Sequence, residues 1–78
     1  MKLKDFEKIC TSLYTRYFFE DSKGRFLDGV TKNFEDTDEY AEAITKINHY
    51  IKNFECEVTE IFNDTTDRFL TIYVRTNK

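Results

Sequence analysis

Residues 37–62, TDEYAEAITKINHYIKNFECEVTEIF, change period partway along, and that change decides the reading of the fold. Tyr40, Ile44, Ile47, Ile51 and Phe54 recur at steps of four, three, four and three, with Ala43 beside them. This lays one apolar stripe along a 3.6-residue repeat and predicts an amphipathic helix over residues 37–53. Asp36 followed three residues later by Glu39 is a variant of the capping box, with Thr37 as an alternative cap. Asp38 and Glu39 sit where the helix dipole favours negative charge, and Glu42 with Lys46 forms an i,i+4 pair on the polar face, near His49 and Asn53.

From Phe54 the period becomes two. Phe54, Cys56 and Val58 alternate with Glu55, Glu57 and Thr59, and beyond Asn63-Asp64-Thr65-Thr66-Asp67 the residues Leu70, Ile72 and Val74 alternate with Phe69, Thr71, Tyr73 and Arg75. Two such runs around a polar cluster predict a β-hairpin. With the loop centred on Thr65, Cys56 faces Val74 and Val58 faces Ile72 inside, while Glu55 faces Arg75, Glu57 faces Tyr73 and Ile61 faces Phe69 outside. Glu60 breaks the pattern, falling on the inner face opposite Leu70, where a bulge or an edge salt bridge with Arg68 would accommodate it.

Two readings compete for the first third. Leu3, Phe6, Cys10, Leu13 and Tyr17 have helical spacing and allow one helix from Leu3 to Phe19. Alternatively, a short helix over residues 4–11 leads into an aromatic-rich strand over 13–20, a turn at Asp21-Ser22-Lys23-Gly24 and a strand over 25–31. The second reading predicts an α+β fold, a small single domain spanning residues 1–78. Its order is α-β-β-α-β-β: a four-stranded antiparallel sheet of two β-hairpins, an amphipathic helix packed on one face and a short N-terminal helix.

Eight Phe, five Tyr and 40% apolar residues suffice for one core in a 78-residue chain. The 35% charged residues fall in no low-complexity run, which argues against disorder. No signal-peptide h-region or bilayer-length apolar run occurs, so a cytoplasmic protein with no membrane contact is expected. Cys10 and Cys56 lie outside any CxxC spacing and read as reduced, partly buried thiols, with a disulfide open only in an oxidising compartment. With His49 they make three scattered candidates, too few for structural zinc, so neither metal nor cofactor is expected.

The parts of an active site are missing too. Ser12 and Ser22 stand in no nucleophile elbow, and His49 is the only histidine. Gly24 and Gly29 form no phosphate-cradling loop. Glu55 with Glu57, or Asp64 with Asp67, would need burial to separate their pKa values, and an exposed strand face or a polar turn offers none. Residues 63–67 lack the glycine and closing glutamate of a calcium loop. A non-enzymatic protein is expected.

Charge is segregated. Residues 35–67 carry ten carboxylates against Lys46 and Lys52, a net −8, whereas residues 1–34 sum to +2 and 68–78 to +3. Helix capping, turn chemistry and the Glu55/Arg75 pairing absorb most of these acids, leaving Glu42, Glu57 and Glu60 as candidate protein-binding residues. Phe69 and Tyr73 join them as aromatic residues on the outer sheet face, where the N-terminal helix or a second copy would otherwise cover them. A protein partner with a basic surface fits this chemistry. Single-stranded nucleic acid, stacking on aromatic residues beside Arg16, Arg25, Arg68 and Arg75, is disfavoured by a sequence pI near 5.1. A self-assembling subunit or homodimer using the Phe69/Tyr73 face is a third reading. Abundant Lys, Asn, Ile, Phe and Tyr with no Pro or Trp mark an AT-rich genome. A small acidic domain of that origin fits the inhibitors and adaptors, for example anti-defence or anti-CRISPR-like proteins, that phages and mobile elements encode for the host cytoplasm.

Overall fold

The computed structural model describes residues 1–10, 12–63 and 66–78. The first helix, α1, is Leu3–Ile9, and the Cys10 N–H closes it on the Phe6 carbonyl at 2.9 Å. Thr11, the expected last residue of that helix, lies outside the described residues, as do Asp64 and Thr65 of the expected hairpin loop. Strand β1 is Tyr14–Glu20, so the alternative single helix over Leu3 to Phe19 does not form. Burial alternates along β1, with Thr15, Tyr17 and Phe19 buried and the residues between them half-exposed. A helix would have scattered these adjacent aromatic residues around its circumference, whereas a strand sends alternate ones to one core.

A tight turn leads into β2, Phe26–Asn33. The Asp21 carboxylate accepts the N–H groups of Lys23 and Arg25, both at 2.9 Å, and Gly24 takes φ +83°, a left-handed conformation that only glycine adopts without strain. Helix α2, Thr37–Asn53, starts where Asp36 caps the Glu39 N–H at 3.0 Å. It buries Ala43 and Ile47. Strands β3, Cys56–Asn63, and β4, Leu70–Thr76, follow.

The sheet is mixed, which corrects the expected antiparallel arrangement. Its order is β2-β1-β4-β3: β1 pairs antiparallel with β2, β3 pairs antiparallel with β4, and the two central strands β1 and β4 run parallel. Apolar burial explains the order. Tyr17, Phe19, Ile72 and Val74 on the central strands are fully buried, while β2 carries Asp28, Gly29 and Lys32, and β3 carries Glu57, Thr59 and Glu60. Polar strands tolerate the edges, where charged side chains also discourage pairing with other chains. On the β3 edge, the Met1 carbonyl accepts the Val58 N–H at 2.8 Å and Lys2 bridges Glu57.

The β3/β4 register also differs from the sequence expectation. Cys56 faces Thr76, Glu57 faces Arg75 and Val58 faces Val74; then an irregularity between Val58 and Glu60 shifts the pairing by one residue. Beyond this bulge Glu60 faces Tyr73, Ile61 faces Ile72 and Phe62 faces Thr71. Because side chains alternate, one inserted residue exchanges the faces of all that follow. Glu60 therefore sits on the outer face, away from the expected inner place opposite Leu70, and Phe62 takes the outer place expected of Ile61.

Both helices contact the inner face. The Tyr50 ring of α2 stacks on Phe19 with centroids 4.1 Å apart, and Leu3 and Phe6 of α1 join the same core. Glu7 of α1 accepts the Tyr17 hydroxyl at 2.6 Å and lies 3.5 Å from the Lys32 ammonium, so the polar ends of two inward-facing residues meet one carboxylate. Burial, and then the Glu7 hydroxyl bond and charge, push the Tyr17 hydroxyl far above its ordinary ionisation range. Thr15 is fully buried, and its hydroxyl has no hydrogen-bond partner among the described residues. Replacing it with an isosteric apolar group removes an unmet polar atom. Thr15→Val is expected to raise unfolding free energy by about 0.5–1 kcal/mol in urea titration, against a loss of about 2–5 kcal/mol for the cavity left by Ile47→Ala.

Candidate functional site

With α1 and α2 on the inner side, no described element covers the outer face of the sheet. The strand registers set out its residues in rows. Phe18 faces Gly29 on one side and Tyr73 on the other, and Tyr73 faces Glu60. One row further, Arg16, Thr71 and Phe62 are neighbours, and on the other side lie Glu20, Arg75 and Glu57. Gly29 carries no side chain, so the rings of Phe18 and Phe26 close over it, with centroids 6.3 Å apart. Phe18 and Tyr73 are 5.3 Å apart, and Phe62 meets Tyr73 edge-on at 5.7 Å. Four rings thus form a continuous aromatic row from β2 to β3. Its two ends are open to solvent, Phe26 at 65% and Phe62 at 53% exposure. Aromatic rings left wet in a connected row carry an unrealised burial free energy that scattered exposed residues do not.

Beside this row is a shallow depression of about 430 Å³ lined by Phe18, Phe62, Asn63, Asp67, Thr71 and Tyr73. Past its Asp67 side lies a compact cluster of rings and charges. The Arg16 guanidinium lies over Phe69 at 4.8 Å and within 3.3 Å of Asp67. The Arg68 guanidinium lies over Tyr14 at 4.5 Å and within 3.2 Å of Glu35, which also accepts the Tyr14 hydroxyl at 2.8 Å. Tyr14 and Phe69 pack edge to face at 5.7 Å. Chiefly the Tyr14 hydroxyl, and then Arg68, hold the Glu35 carboxyl below its ordinary value.

At the opposite end of the face, Arg75 reaches towards Glu20, 3.9 Å away, and the Gly24 turn. Glu57 accepts the N-terminal ammonium at 3.0 Å and lies 4.0 Å from the Lys2 ammonium, which pairs more closely with Glu55. The expected Glu55/Arg75 pairing is therefore replaced: Arg75 faces Glu57 in register, and Glu55 is held by Lys2.

The residues singled out from sequence divide accordingly. Glu57, Glu60 and Tyr73 share the outer face, and Phe69 lies at its end, half-exposed between Arg16 and Arg68. Glu42 does not join them; it projects from α2 in the helical layer, exposed and 3.7 Å from Lys46. Glu60 has no ion-pair partner among the described residues. Phe18, Phe26 and Phe62 were not among the candidates from sequence. The parity break at Glu60 was the available signal for Phe62, since a bulge before Glu60 places both on one face.

Other chemistry is sparse. His49 is exposed on α2, with its Nδ1 at 3.2 Å from the Asn53 amide. Cys10 and Cys56 are free thiols; burial pushes the Cys56 thiol up in pKa and makes it a poor nucleophile. Among the described residues, no group of His, Cys, Asp or Glu is placed to hold a metal ion, and no helix is long and apolar enough to cross a membrane. No known protein family, characterised protein or solved structure matches the chain.

The lowered Glu35 carboxyl makes the charge cluster sensitive to acid. A carboxyl whose folded pKa is depressed contributes stability that is present above its unfolded value and lost as pH falls through its folded one. For Glu35 the loss begins below its ordinary value of 4.5. Glu35→Gln is expected to flatten the fall in melting temperature below about pH 4.5, followed by circular dichroism in low-salt buffer.

Proposed function

We propose that this chain is a non-enzymatic protein-binding module that docks a partner with a basic surface on the outer face of its sheet. An inhibitor or adaptor of the kind that phages and mobile elements encode is the class it fits best. One observation carries the reading: both helices pack on one side, leaving the Phe26, Phe18, Tyr73 and Phe62 row open on the other. Large rings in a connected, partly desolvated patch are the residue types that dominate binding free energy at protein interfaces. The carboxylate of Glu60, opposite Tyr73, borders the row and gives it a preference for cationic partners, whereas Glu57 is already met by the N-terminal ammonium.

Single-stranded nucleic acid could also stack on an open aromatic sheet, but the Glu60 carboxylate borders the rings on which its bases would stack. Arg16 and Arg75 on this face are already engaged by Asp67 and Glu20. Glu42 lies off the proposed contact surface and serves as an internal control.

Affinity capture on the unmodified chain would identify the partner, and surface plasmon resonance would then measure it. Phe62→Ala and Glu60→Lys are each expected to weaken the complex at least about tenfold, as for a residue central to an interface. Glu42→Lys should leave it within about twofold, with all three melting temperatures nearly unchanged. Equal weakening by Glu42→Lys and Glu60→Lys, with none by Phe62→Ala, would remove the sheet face as the contact. Oligonucleotide binding that falls steeply between about 50 and 200 mM salt would favour nucleic acid instead.

A further inference from the structure

We infer that the depression between Phe18, Tyr73 and Phe62 is a receptacle for an arginine side chain supplied by the partner protein. This rests on the sheet face being the docking surface and specifies the chemistry that it recognises. The fold already uses one device twice on or beside this face: an aromatic ring below a guanidinium, with a carboxylate at its edge. Arg16 sits so between Phe69 and Asp67, and Arg68 between Tyr14 and Glu35. The same parts occur a third time. Phe18, Tyr73 and Phe62 supply the rings, and Glu60, opposite Tyr73 in register and outside the lining of the depression itself, supplies a carboxylate on the same face.

Here, however, no internal cation fills the place. Arg16 and Arg68 belong to their own clusters, Arg75 turns to Glu20 and Gly24, and Lys2 with the N-terminal ammonium is drawn to Glu55 and Glu57. Glu60 lies opposite Tyr73 with no ion-pair partner among the described residues. The depression measures about 430 Å³, and its rim adds Asn63 and Thr71 as hydrogen-bond acceptors, while Asp67 on the same rim is already paired with Arg16. A guanidinium offers a flat face to stack and five fixed N–H donors to meet such a rim. A lysine ammonium is a compact, strongly hydrated charge that uses neither feature well. A nucleobase could stack on the rings, but its phosphate would approach Glu60 with the wrong sign.

The test uses the unmodified chain with two peptides of equal charge, hexa-arginine and hexa-lysine, in titrations followed by calorimetry and by ring-proton shifts. Hexa-arginine is expected to bind at least about fivefold tighter than hexa-lysine and to shift the Phe18, Phe62 and Tyr73 ring signals. Phe62→Ala and Glu60→Gln should each weaken hexa-arginine about 2- to 30-fold, the span of a cation–π contact, while Glu42→Gln leaves it unchanged. Both side chains are exposed, so circular dichroism should report an intact fold; if Phe62→Ala unfolds, the ring shifts of the unmodified chain and Glu60→Gln decide the matter. Equal affinity for the two peptides, without ring shifts, would overturn the receptacle and point to diffuse charge attraction. If the captured partner still depends on Phe62 in that case, the docking face stands and only its arginine preference falls. Stronger binding of a thymidine decamer than of hexa-arginine, or dimerisation abolished by Phe62→Ala, would overturn the proposal in favour of nucleic acid or a second copy.

Discussion

The parallel contact between β1 and β4 is the constraint on which the rest of the structure depends. Each hairpin taken alone is a two-stranded ribbon, and such ribbons are marginal in water. Joined through their most apolar strands, they bring Tyr17, Phe19, Ile72 and Val74 together in the middle of one sheet, all fully buried. Parallel pairing needs a long connection, which β2, α2 and β3 supply between them. Once this central pair is made, the polar strands are displaced to the edges. The Glu7, Tyr17 and Lys32 contacts then tie α1 to the inner face.

The outer face follows from the same arrangement. The described residues form two helices, and α2 packs nearest β2 while α1 packs nearest β3, so neither reaches the other side. The aromatic residues there have partial shelter from one another, and the two guanidinium clusters shelter Tyr14 and Phe69 further. Phe26 and Phe62, at the ends of the row, have less. The exposed row and the uncompensated Glu60 are thus two consequences of one topology and one bulge. They were not separable features to be found independently.

Much of this was legible in residue order. The helix over residues 37–53 and its Asp36 cap follow from spacing and capping chemistry, which act within a few residues. The Asp21 to Gly24 turn is equally local. The bulge announced itself as a charge on an apolar face at Glu60, although its place, at Thr59, and its effect on Phe62 did not. Residue order leaves the register of β3 on β4 open, since alternation alone is satisfied equally by a slip of two residues, and Cys56 pairs with Thr76 where a loop centred on Thr65 would pair it with Val74.

The sequence by itself determined the elements, their order and which residues of each are apolar, because helix period, strand period, caps and turns are short-range properties. Only the tertiary structure decided that β1 and β4 lie side by side and parallel, that both helices share one face, and that Phe18, Phe26, Phe62 and Tyr73 meet across four strands. Those outcomes depend on which buried surfaces fit best when residues far apart in the chain are packed together. Glu42 shows the difference most plainly: its charge, helix position and exposure could all be read in order, yet the layer it belongs to, away from Glu57 and Glu60, is set by packing alone.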